Sequence, residues 1–271
     1  MLITIEGNIA CGKSILLKQL KDFHNLTILS EPIEKWQNWE GYNQELPTKL
    51  NMLQLMYDNP KKYMKDFQIM GQITLADNHN YLTESPIKII ERSIYSGRYI
   101  FTKMAYQDDN LTYDEYKEIC DYFKNIKKTV TVPDLIVYLR TDPKICYKRM
   151  KKRNREEEKN VSLEYLKKLH YYHEKLLINN QQLLPCPVIV LNSNKSIKEV
   201  KDKFINIINL RCVKKCSKCK QFKLKSDFYK NKKTKDGLQS YCIDCNKEYL
   251  KNYMNEKYKD PKFYDIQKNE K

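Results

Sequence analysis

Gly7 and Gly12 stand between an apolar run and a helical one, in the order L-I-T-I-E-G-N-I-A-C-G-K-S. The spacing G-x-x-x-x-G-K-S, entered from a strand over Leu2–Glu6 and left through a helix over Ile15–Phe23, suits an α/β sheet whose loops gather at one edge. The two glycines permit a tight backbone on which successive N–H groups, from Asn8, Ile9, Ala10 and Cys11, face the oxygens of an anion. The helix N-terminus behind them adds roughly half a positive charge. Lys13 then reaches the β- and γ-phosphates, and the Ser14 hydroxyl ligates Mg²⁺. A nucleoside triphosphate is the ligand such a loop predicts.

Five runs rich in Ile, Val and Leu recur between helical stretches: Leu2–Glu6, Leu26–Ser30, Ile87–Glu91, Leu135–Leu139 and Val188–Leu191. None alternates with polar residues, as expected of strands covered on both faces. The intervals are long enough for crossover helices, so the expected fold class is α/β, a five-stranded parallel sheet flanked by helices. Ligands of such sheets collect at the carboxyl ends of the strands. Three runs end there in polar residues: Gly7, then Ser30 and Glu31, then Glu91, Arg92 and Ser93. A charged helical stretch follows from Pro143 to Leu177, and a last helix over Ser196–Leu210 closes the domain.

The 271 residues fit one large domain with a small appendage, 1–210 and 211–271. From Arg211 onward, 18 Lys and Arg face 8 Asp and Glu, a net of +10 out of the whole chain's +16. The body is therefore ordinary in charge and the tail strongly basic. No apolar run approaches the ~18 residues that span a bilayer. A first strand at residue 2 leaves no room for a leader, and five scattered cysteines look like reduced thiols, so a cytoplasmic enzyme without membrane contact is expected.

Seven segments in order resemble the deoxynucleoside kinases of the thymidine kinase 2, deoxycytidine kinase and insect multisubstrate type. They are I-E-G-N-I-x-x-G-K-S from Ile5, E-P-I-E-K-W from Glu31, L-M-Y-D-N-P-K-K-Y from Leu55, F-Q at Phe67, E-R-S-I-Y-S-G-R-Y-I-F from Glu91, R-x-R-E-E-E from Arg153 and L-E-Y-L-K-K-L-H-Y-Y-H-E from Leu163. The resemblance covers residues 1 to about 205. It implies ATP-dependent 5′-phosphorylation of a deoxyribonucleoside, with Lys13, Glu31 and Arg92 in the chemistry. Glu31 takes the proton of the 5′-OH, Glu91 lies near the metal with Ser14, and Arg92 holds Glu31 and the 5′ end. Arg153 and Arg155 belong to a cationic lid over the phosphates, with Arg149 and Lys151 as weaker candidates. Gln68 pairs with the base, Trp36 and Phe101 wall it, and Tyr57 with Glu158 grips the sugar 3′-OH.

Gly97, Gly71 and Leu75 stand where relatives carry bulkier or acidic neighbours of the base, which suggests a pyrimidine-preferring or broad enzyme. Family members dimerise, so a homodimer is implied. Cys11, at a helix N-terminus, is expected to be an easily oxidised thiol. His170 and His173 lack partners at metal spacing and read as packing residues. Two other functions stay open: a nucleoside monophosphate kinase of the same fold, and a nucleic-acid-binding zinc protein with a vestigial kinase domain.

In the tail, Cys216-x₂-Cys219 and Cys242-x₂-Cys245 have the spacing of a Cys₄ zinc site. So short and basic a segment has too little apolar surface to fold unaided, and a structural Zn²⁺ supplies the staple. The segment resembles small zinc modules of phage and large-virus proteins. Cys212 reads as a spare thiol. Lys and Tyr interleave over Lys247–Tyr264, a pattern for contact with nucleic acid or with a protein.

Overall fold

The computed structural model describes residues 1–21, 23, 25–40, 49–220 and 222–257. Its first compact unit, Met1–Lys203, is built on one parallel sheet. The strands are β1 (Leu2–Glu6), β2 (Leu26–Leu29), β3 (Ile87–Glu91), β4 (Leu135–Arg140) and β5 (Val188–Asn192), in the order β2-β3-β1-β4-β5. Ile3 sits opposite Ile89 on one side and Leu135 on the other. β1 and β3 are buried at every residue, whereas the edge strands β2 and β5 are half-covered. Unbroken apolar runs are what a doubly covered central strand requires.

Crossover helices are α1 (Lys13–Leu20), α2 (Ile33–Gln37), α3 (Met52–Asp58) and α4 (Pro60–Asn80). Between β3 and β4 come α5 (Ile94–Ser96), a π-helical segment (Gly97–Thr102), α6 (Lys103–Gln107) and α7 (Tyr113–Ile126). After β4 follow α8 (Pro143–Arg153), α9 (Leu163–Glu174) and a second π-helical segment (Lys175–Asn179). α1 begins two residues before the expected Ile15, because Gly12 takes the left-handed conformation (φ 112°) and delivers the chain straight into the helix. The stretch from Pro143 to Leu177 is likewise not one helix. Asn154 closes α8 in the left-handed region (φ 51°), and a 3₁₀ turn, Glu156–Glu158, precedes α9.

Lys88 is a cation inside a buried strand. Its ammonium donates to the carbonyls of His79 and Tyr81 at 2.6 and 2.8 Å, serving the otherwise unpaired C-terminal end of α4. His79 is buried beside it and burial pulls its pKa down to about 4. No described helix is long and apolar enough to cross a membrane.

α10 (Ile197–Cys212) carries the chain from the first unit into the second, Phe204–Lys271. The second unit adds an antiparallel hairpin, β6 (Val213–Lys215) with β7 (Phe222–Leu224), and α11 (Ile243–Lys257). Cys216, Phe228, Cys242 and Cys245 form its core, with Leu238 and Tyr241 packed around them. That small core matches the apolar poverty of the segment. The side chain of Cys212 and residues 258–264 of the Lys–Tyr stretch lie outside the described part of the chain.

Candidate active site

The loop after β1 is held from behind. Gly7 has φ 149°, and a Cβ there would meet the Cys11 sulfur at 2.7 Å and the Leu139 carbonyl at 2.9 Å. Only glycine fits. The carbonyl of Cys11 accepts from Ser193 Oγ (2.9 Å), Arg149 Nη1 (3.1 Å) and Thr141 Oγ1 (3.3 Å). Asn8 reaches α9 through the Leu166 carbonyl at 2.9 Å. Arg149 also donates to the Ser193 carbonyl and Lys151 to that of Lys159, so both of these cations serve backbone groups. The Cys11 thiol is wholly buried, with Ile9 next to it nearly so. That corrects the expectation of an easily oxidised thiol, since oxidants reach exposed thiolates.

A chain of contacts runs from this loop across the sheet edge. Lys13 Nζ donates to the carbonyls of Gly7 (3.2 Å) and Asn8 (3.1 Å) and lies 3.9 Å from Glu91. Ser14 Oγ donates to the two Glu91 oxygens at 3.0 and 3.2 Å. A hydroxyl beside a carboxylate at a phosphate loop is an oxygen donor pair that suits a hard cation such as Mg²⁺. Arg92 closes the circuit: its Nε is 2.6 Å from Glu31 Oε1 and its Nη1 is 3.3 Å from the Gly7 carbonyl. Burial alone would lower the Arg92 pKa, but the carboxylates of Glu31, Glu6 and Glu91 outweigh it and hold the guanidinium above its ordinary value. Arg92 is also a non-glycine residue in the left-handed region, φ 65°. Strain of that kind costs about 1–3 kcal/mol and persists where its surroundings impose it. Here Ser93, the next residue, donates to buried Glu6 at 2.6 Å and fixes the turn. Desolvation pushes the Glu6 carboxyl up despite Arg92, Ser93 and Lys13.

Among the residues expected to contact the deoxynucleoside, the Phe101 ring lies under the Arg92 guanidinium at 4.6 Å. Gln68 is buried on α4 and its Oε1 accepts from Thr102 Oγ1 at 2.9 Å. Trp36 is also buried, bonded to Thr74 through Nε1 and packed edge-on against Phe67. Burial holds the Tyr57 phenol well above its ordinary pKa, and Tyr165, Glu158 and Glu31 add to the effect, so these groups converge. A Cβ at Gly71 would meet nothing within 4 Å, and one at Gly97 would meet only Leu75 at 3.8 Å.

A family model described as "Deoxynucleoside kinase" matches residues 3–216. The chain belongs to the deoxynucleoside kinase family. It is 36% identical over 204 residues to mitochondrial thymidine kinase 2 of Homo sapiens, covering 74% of each chain. It is 35% identical over 225 residues to deoxycytidine kinase 2 of Gallus gallus, covering 74% of this chain and 85% of that one. Against mitochondrial deoxyguanosine kinase of Xenopus laevis it is 34% identical over 212 residues, 70% and 80% of the two chains. The protein is thus a phosphotransferase that phosphorylates deoxynucleosides with ATP.

In this deoxynucleoside kinase Arg153 and Arg155, the two arginines expected in a lid, both pair with Glu158. Arg153 Nη2 lies 2.6 Å from both of its oxygens, and Arg155 Nη1 lies 3.3 Å from Oε1. Neighbouring Glu157 accepts from Gln37 at 2.5 Å and Asn51 at 3.3 Å. Burial pushes its pKa up, but the Gln37 bond, a backbone N–H, the Asn51 bond and the charge of Arg155 together outweigh it and keep the pKa low. Glu157 therefore ties the segment after α8 to α2 and α3. Sequence reasoning passed over Glu157, Tyr165, Glu6, Thr102 and Ser193. Glu6, Glu157 and Tyr165 lie inside the I-E-G, R-x-R-E-E-E and L-E-Y-L segments, whereas Thr102 and Ser193 carried no local signal. His173 reads as the packing residue expected: it stacks on Tyr138, sits 2.7 Å from the Leu169 carbonyl, and burial lowers its pKa to about 3.

The kinase's second unit brings the sulfurs of Cys216, Cys219, Cys242 and Cys245 within 4.8 Å of one another. Four thiolates bound tetrahedrally at about 2.3 Å stand about 3.8 Å apart, so the cluster fits zinc in donor type and scale. The Cys242 N–H donates to the Cys216 sulfur at 3.3 Å, the outer-sphere bond such sites use.

Proposed function

We propose that Glu31 is the general base for the deoxynucleoside 5′-OH and that Arg92 orients it toward the phosphate loop. The observation carrying this reading is the single guanidinium that joins Glu31 (2.6 Å) to the Gly7 carbonyl (3.3 Å). A carboxylate at the acceptor oxygen takes its proton as the bond to phosphorus forms. Gly7 to Ser14 cradle the phosphates through backbone N–H groups and Lys13, whose ammonium neutralises charge on the transferring group. Ser14 and Glu91 would hold Mg²⁺, which would supply neutralising charge at the phosphates. Arg153 and Arg155 exchange Glu158 for phosphate when ATP enters, and Glu158 turns to the sugar 3′-OH beside Tyr57.

Gln68 reads the base edge, with Phe101 and Trp36 on its flanks. The open space at Gly71 supports a pyrimidine-preferring enzyme that tolerates larger bases, while at Gly97 a Cβ would already touch Leu75. A panel of four deoxynucleosides and their monophosphates tests the whole reading. Phosphorylation of the nucleosides alone is expected, and a preference for monophosphates overturns it.

The working unit in this reading is a cytoplasmic homodimer whose kinase domain is residues 1–210. Residues 211–271 form a zinc-stapled module. Its α11 exposes Tyr249, Leu250, Tyr253 and Met254, with the two tyrosines stacked at 6.5 Å. Aromatic faces on a basic segment support nucleic-acid binding. Steeply salt-dependent binding of an oligonucleotide by the full chain is expected. Its absence at low salt leaves protein docking as the module's task.

A further inference from the structure

A cleft of about 230 Å³ opens in the kinase unit, lined by Arg98, Tyr99, Lys103, Tyr116, Tyr172 and Lys175 among others. Arg98 and Tyr99 come from the first π-helical segment, and Lys175 from the second. The cleft shares no residue with the phosphate loop or with the proposed deoxynucleoside contacts.

Three cations meet there, and none of them forms an ion pair among the described residues. Aromatic faces hold them instead. The Arg98 guanidinium lies 4.8 Å over Tyr116 and 5.5 Å over Tyr99, and its Nη2 is 3.0 Å from the Tyr116 hydroxyl. Lys103 Nζ lies 5.2 Å over Tyr116 and 5.3 Å over Tyr106, and Lys175 Nζ lies 5.8 Å over Tyr171. A ring orients a cation without cancelling its charge, whereas a carboxylate would cancel it. The charges therefore stay available, pre-positioned in a concave wall where field lines concentrate. An arginine fork with two ammonium groups is the donor set that phosphate oxygens prefer. The tyrosine walls add flat apolar surface suited to a heterocycle.

We propose that this cleft is a second anion site, which takes the phosphates of a nucleotide with its base against the tyrosines. π-Helical segments occur often at functional sites, and two of them shape this one. The proposal is independent of what the phosphate loop phosphorylates.

Equilibrium dialysis of the full-length protein against radiolabelled dTTP tests it. Wild type is expected to bind two dTTP per chain. Lys103→Glu/Lys175→Glu is expected to bind one, through the phosphate loop, with unchanged kcat for deoxynucleoside. Lys13→Ala is expected to bind one, through the cleft, and the combined variant none. A wild-type stoichiometry of one, or two retained after the charge reversal, overturns the proposal. Two bound by Lys13→Ala would instead indict the reading of the phosphate loop. Should the charge reversal unfold, Lys103→Gln/Lys175→Gln gives the same arm, expected to weaken the second site at least tenfold.

Discussion

Glu31 and Arg92 act as one device, and their variants should fail differently. Glu31→Gln keeps the side chain's size and removes its basicity, so kcat should fall by about 10²–10⁴-fold with little change in KM. Steady-state kinetics on the purified variant measures it. An unchanged kcat would remove Glu31 from the chemistry. Gly7→Ala should lose about 1–3 kcal/mol in urea denaturation together with most ATP affinity, because its Cβ meets a sulfur and a carbonyl at under 3 Å. At this scale the motif was legible, since Gly7, Lys13 and Ser14 are defined by spacing along a continuous segment. Arg92's pairing with Glu31 joins residues 61 positions apart. Its left-handed backbone is imposed by Ser93 on Glu6, a contact that no spacing encodes.

Secondary elements were legible in proportion to how locally they are determined. All five strands fell within a residue of their expected bounds, because each is a run dominated by Ile, Val and Leu. The charged stretch after β4 was harder. Its charges could all have been solvated, but folding ties buried Glu157 to Gln37 and Asn51, and buried Glu158 to Arg153 and Arg155. Lys88 is another such case. In sequence it contradicts a buried strand, and in the fold it serves the end of α4. Lys88→Met should therefore expose the loss of two bonds to carbonyls and lower stability by about 1–3 kcal/mol, read by chemical denaturation. A neutral result would mean that water replaces the ammonium.

For the molecule as a whole, acid is the condition to which the kinase unit is most exposed. His79 and His173 have folded pKa values of about 4 and about 3, below the ~6.5 of an unfolded histidine. Between those limits the unfolded chain binds more protons, so stability is present above pH ~6.5 and drains away as pH falls. At pH 5 each histidine should cost about 2 kcal/mol relative to pH 7. Thermal melts across this range, compared with His79→Asn, measure it, and a flat profile above pH 4.5 would refute it. The second unit answers to a different variable. A chelator should unfold the Cys₄ module, since metal binding to such a site is its folding energy. Limited proteolysis should then clip after residue 212 while phosphorylation continues. Equal loss of both would show the two units to be energetically one.

A π turn holds one residue more than an α turn can accommodate. Excising a single codon from Gly97–Thr102 would therefore leave a regular helix with its ladder intact and its flanks in nearly their present register, while turning the side chains inside the segment by roughly 100°. Phe101 would leave Arg92, and Arg98 would leave Tyr116, in a protein whose melting curve hardly changed. A one-residue deletion here, normally the harshest of lesions, becomes a way to silence the enzyme while sparing its architecture.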